Sequence, residues 1–115
     1  MVIQYNIDMK KVRITVLKRT FNREIADQYA VKGLGLCELC QEGQIFISNG
    51  WEKPEGLCES AWQSMHSFVF ALSHGGSDFL KDWMKDKNSA VISCNAGCRP
   101  VVFLLEGMDE KFSRE

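Results

Sequence analysis

The sequence predicts one α+β domain with the element order β-α-β-α-β-β, a sheet of about four strands carrying two helices on one face. Three observations lead there. Residues 11–19, "KVRITVLKR", set Val12, Ile14 and Val16 against Arg13, Thr15 and Leu17, a period of two rich in β-branched residues. Ala61, Trp62, Met65, Phe68, Val69 and Leu72 recur at intervals of three and four, the stripe of an amphipathic helix. "AVISC" and "PVVFLLEG" are two β-branched runs joined by "NAGCR", the pattern of a hairpin with a loop of about four or five residues.

Taken in order, the first strand covers 11–19, with Leu17 a partial exception to the alternation. In "TFNREIADQYAVKG", Thr20 or Asn22 supplies an N-cap and Gly33 a stop. Ile25, Ala26, Tyr29 and Ala30 fall between them at helical spacing. "GQIFIS" (43–48) reads as a short strand, and the Asn-Gly and Pro-Glu-Gly steps of "NGWEKPEG" as a loop. The second helix starts near Leu57 and ends at Gly75 and Gly76, with His74 in its last turn. "DFLKDWMK" offers one or two further helical turns. Residues 1–115 make a single domain, within the usual size of about 100–150 residues, with 1–9 and 109–115 as peripheral tails.

An apolar fraction of 45% and a charged fraction of 25% describe an ordinary globular chain. With 14 basic and 15 acidic residues, no surplus of charge favours nucleic acid or an anionic membrane as partner. The most apolar stretch, "SMHSFVFALS", is too short and polar to span a bilayer, and "MVIQYNIDMKK" lacks the pattern of a signal peptide. The expected location is the cytoplasm. Thiols stay reduced there, and the odd total of five cysteines also argues against a disulfide framework.

The cysteines therefore offer metal binding, catalysis or plain burial. Cys37 and Cys40 form a Cys-x-x-Cys turn flanked by Gly33, Gly35 and Gly43, which supplies two thiolates from one backbone loop. Cys94 and Cys98 are a looser pair, and their distance along the chain from Cys40 exceeds that of an ordinary zinc ribbon. A thioredoxin-like reading is weaker, because the first pair precedes a strand and not a helix. Cys58 stands near the start of the second helix, the best position for a lone reactive or ligating thiol. Against all this stands the plain alternative that free cysteine is a small buried hydrophobe.

Several motifs together resemble a known family. They are "KVRITVLKRTFN"; C-x-x-G-Q-x-F at Cys40, Gly43, Gln44 and Phe46; and P-x-G-x-C-x-x-A-W at Pro54, Gly56, Cys58, Ala61 and Trp62. L-x-x-G-G follows at Leu72, Gly75 and Gly76, and C-x-x-G-x-R-P-V-x-F at Cys94, Gly97, Arg99, Pro100, Val101 and Phe103. From Met9 to Glu106 the chain resembles an uncharacterised family of small cysteine-containing proteins found largely in anaerobic prokaryotes. The resemblance implies a context and no reaction. It singles out Cys40, Cys58 and Cys94, leaves Cys37 and Cys98 outside the pattern, and places Ala96 where the family carries an acidic residue. Three thiolates meeting in space would hold a metal with an open fourth position, or a cluster completed by a further ligand.

Two functions are therefore expected. One is a small cytoplasmic protein binding zinc or an iron–sulfur cluster through Cys40, Cys58 and Cys94, with Cys37 or Cys98 as auxiliary. The other is a metal-free, homo-oligomeric binding or scaffold module with Arg99 anchoring a small anionic ligand bidentately. Trp62 and Trp51 are candidates to stack on a ligand, although helical spacing makes Trp62 a core residue first. Two turns separate His66 from His74, which is not the spacing of a ligand pair, and Gly75-Gly76 reads as a helix C-cap. An enzyme using Cys58 as nucleophile is the poorest of the readings, since no histidine is placed beside it by the sequence.

Overall fold

The computed structural model describes residues 7–114, with side chains over 9–109. Its elements are β1 (Ile7–Arg19), α1 (Arg23–Tyr29), β2 (Ile45–Ser48), α2 (Glu59–Ser73), β3 (Ser89–Ser93) and β4 (Val101–Arg114). This is the α+β order read from the sequence, built on a four-stranded antiparallel sheet of order β2-β1-β4-β3.

The alternation in β1 decides which face is core. Val12, Ile14 and Val16 are fully buried, as are Phe103 and Leu105 of β4, and α2 lays Ala61, Trp62, Met65, Val69 and Leu72 over them. Each large apolar side chain so covered contributes roughly 1.5–3 kcal/mol, enough that this core holds the fold without any staple. Arg13 and Thr15 point the other way, and Arg13 meets Glu106 across the sheet at 3.1 Å. That outer face also leaves Leu17, Ile45, Ile47 and Val91 exposed.

Leu17 breaks the alternation for a structural reason. Val16 pairs with Phe103 but Lys18 pairs with Val102, so β1 carries one extra residue there, a β-bulge. Unbroken alternation would aim Arg19 outward. The bulge instead makes it the partner of the buried Val101, on the inner face near the end of the sheet.

α1 is shorter than its sequence pattern. It ends at Ala30, which is extended, before Gly33 is reached. Of the expected inner stripe only Ala26 is buried, while Ile25 and Tyr29 face solvent. Asn22 holds the N-cap position without capping: its side-chain amide donates to the Gly97 carbonyl at 2.5 Å and its backbone N–H to that of Cys98 at 2.8 Å. The tertiary bonds to the β3–β4 turn have displaced the local one.

α2 follows its stripe closely. Cys58 is its N-cap residue and His74 its C-cap. Gly75 takes φ +85°, the Gly75 N–H bonds the Leu72 carbonyl, and the Gly76 N–H bonds that of Ala71. This is the Schellman closure that Gly-Gly predicted. "DFLKDWMK" forms turns rather than helix, with Asp78, Lys81 and Asp82 at positive φ. Residues 1–6 and 115, at the ends expected as tails, lie outside the described residues; Ile7–Lys10 pair with Lys111–Arg114 in the ladder.

Candidate metal centre

The site is assembled at one end of the sheet from three segments. The first is the loop between α1 and β2, which carries Cys37 and Cys40. Gly43 N–H bonds the Val16 carbonyl at 2.8 Å and Val16 N–H returns to Gln44, so the loop is hooked to the bulged end of β1. Arg19 reinforces the hook by donating through Nη1 to the Cys37 carbonyl at 3.1 Å. From the β3–β4 turn Arg99 reaches the carbonyls of Gly35 and Leu36 at 3.4 and 3.5 Å.

The second segment is the start of α2. A turn closed by Leu57 N–H on the Pro54 carbonyl, with Lys53 Nζ on the Leu57 carbonyl at 2.6 Å, delivers Cys58 to the N-cap position. The positive end of the helix macrodipole therefore lies beside the thiol. The third segment is the β3–β4 turn. Cys94 N–H bonds the Val101 carbonyl, and Val101 N–H donates back to Cys94 Sγ at 3.2 Å.

Together these segments line a pocket of about 180 Å³ with Cys37, Cys40, Cys58 and Cys94, alongside Leu39, Ala61, Val101 and Phe103. All five cysteines are free thiols; Cys40 is buried and the others half-buried. Leu39 N–H donates to Cys37 Sγ at 3.4 Å, so two of the four sulfurs accept a backbone N–H. Among the described residues no group of three or more His, Cys, Asp or Glu side chains stands arranged to hold a metal ion as it is.

Burial pushes the Cys40 thiol up to about 11, helped by the neighbouring Cys37, Cys58 and Cys94 and by its hydrogen bond with Cys37. The three cysteines that act on Cys40 are those that share its pocket. A raised thiol keeps its proton in the folded chain while the unfolded chain loses it. The corresponding stability is fully present below about pH 9 and is lost as pH rises towards 11. Two units would amount to about 2.7 kcal/mol. The site opens to solvent at Leu39, which reduces the expected loss to roughly 1–2 kcal/mol. Denaturant unfolding of reduced, metal-free protein between pH 8 and 10.5 measures this. Cys40→Ala should flatten the decline, and an equally steep decline in that variant would reject the account.

Of the residues singled out in the sequence, Cys40, Cys58 and Cys94 meet, Cys37 joins them, and Arg99 stands on the rim. Cys98 is half-buried in the same turn but does not line the pocket. Trp62 lies in the core stacked on His66, with ring centroids 4.5 Å apart, away from the pocket lining. Trp51 stands edge-on to Phe70. Arg19 went unread in the sequence, although the irregular Leu17 was its signal. Compared with known protein families, with curated proteins and with solved structures, the chain matches none.

Among the described residues no helix is long and apolar enough to cross a membrane.

Proposed function

We propose that this chain is a small iron–sulfur protein whose cluster is held by Cys37, Cys40, Cys58 and Cys94. The observation that carries the reading is that four thiols from three separate segments line one pocket. Thiolates are the ligands iron–sulfur clusters use, and hydrocarbon walls with N–H···S bonds are the surroundings that tune them. A single zinc ion would draw its sulfurs in to about 2.3 Å from one point, whereas a cluster takes its ligands at its outer corners. With no three side chains among the described residues arranged for a single ion, and a pocket of about 180 Å³ lined by the four cysteines, the wider occupant is the better supported. Such a cluster, when bound, supplies one-electron redox chemistry.

The reading fits a cytoplasmic chain, where thiols stay reduced. It fits equally the resemblance to small proteins of anaerobic prokaryotes, in which an oxygen-sensitive centre is tolerated. The alternative, a small anion anchored by Arg99 in a metal-free module, has less support. The guanidinium is engaged by the Gly35 and Leu36 carbonyls, and apart from Arg99 and the cysteines the pocket is lined by hydrocarbon and Ser60.

Anoxic reconstitution with ferrous iron, sulfide and zinc tests the reading. Iron and acid-labile sulfide bound in equal amounts, with broad visible absorption, are expected. Zinc bound without sulfide would replace the cluster by a four-thiolate ion site. Protein that takes up neither would leave four thiols lining a pocket and no cofactor.

A further inference from the structure

The four cysteines that line the pocket would satisfy a cluster completely and leave no coordination position for a substrate. What the surroundings add is charge. Arg99 lines the same pocket, held over the Cys37 loop by its bonds to the Gly35 and Leu36 carbonyls. Among the described residues it makes no ion pair, so its charge is not cancelled by a carboxylate. Arg19 also braces this loop, through the Cys37 carbonyl, but does not line the pocket.

Resting on the cluster reading above, we propose that the site is a one-electron carrier whose reduction potential is raised by Arg99. A low-potential one-electron donor adds one electron to the cluster. No bond forms or breaks, no proton moves, and the site becomes more negative by one charge. A cation on the rim stabilises that more negative state over the oxidised one, which makes reduction easier. Arg99 is a potential-setting residue and not a ligand.

The test is an anoxic redox titration of reconstituted protein with viologen mediators, comparing wild type, Arg99→Lys, Arg99→Gln and Ala96→Asp. Ala96 lines the same rim, so a carboxylate there acts against the arginine without removing its hydrogen bonds. At the wild-type midpoint the ratio of reduced to oxidised cluster should fall about tenfold in Arg99→Gln, which is 59 mV for one electron. Ala96→Asp should move it in the same direction, and Arg99→Lys should stay near wild type. A loaded Arg99→Gln or Ala96→Asp protein with an unmoved midpoint overturns the role of Arg99. Should Arg99→Gln fail to load, Ala96→Asp alone decides. An EPR spectrum of the reduced wild-type cluster that changes on adding cyanide would reveal an open iron and overturn the carrier assignment. Failure of the wild type to bind iron and sulfide defeats the underlying cluster reading instead.

Discussion

Changing Cys58 to serine should cost the reconstituted protein about 100-fold or more in affinity for the proposed metal group. Structural zinc sites with four thiolate or imidazole ligands bind with about 10–16 kcal/mol, and on that scale one ligand in four carries about 2.5–4 kcal/mol. Each 1.4 kcal/mol is a factor of ten. The same loss is expected for Cys37→Ser, Cys40→Ser and Cys94→Ser, because all four line the pocket. Cys98→Ser should load like wild type, since its side chain lies outside the lining. The comparison separates ligation from folding. Serine is a preferred N-cap, so the metal-free Cys58→Ser protein should be as stable as wild type or gain up to about 1 kcal/mol. Iron and sulfide content with metal-free melting curves gives both answers. A uniform small loss across all five variants, Cys98 included, would mean that the thiols act only as packing.

Gly50→Ala should destabilise the fold by about 2–4 kcal/mol. Gly50 has φ +93°, and a methyl group there would meet Ser73 Oγ at 2.2 Å and its Cβ at 2.6 Å. Ser73 is fully buried at the end of α2 and its hydroxyl is tied to the Phe70 carbonyl at 2.7 Å. Gly75→Ala isolates the backbone part, for Gly75 has a similar φ of +85° with nothing within 4 Å. It should cost about 1–2 kcal/mol. Equal melting temperatures for the two variants would show that the contact between the loop after β2 and the last turn of α2 yields freely.

Where the physics is periodic, the sequence was sufficient. Buried Val12, Ile14 and Val16 and the α2 stripe from Ala61 to Leu72 follow from alternation and helical spacing, because burial selects apolar residues at those intervals. Where tertiary bonds compete with local ones, it was not. Asn22 looks like a cap but gives its amide to Gly97 across the fold, and the stripe of Ile25 and Tyr29 has nothing to pack against. The cysteines show both cases. The turn at Cys37 and Cys40 and the helix start at Cys58 were visible as local patterns. Their meeting with Cys94, and the separation of Cys98 from them, depend on strand register that no local pattern states.

The pocket draws on stretches as remote along the chain as Cys37 and Cys94, and its walls belong to the core, for Val101 and Phe103 line it and Cys40 is buried with them. Closing the sheet and seating α2 on it are therefore what carry the four thiols to one place. On the proposed cluster reading, loading would follow that assembly, and metal-free protein should already melt cooperatively.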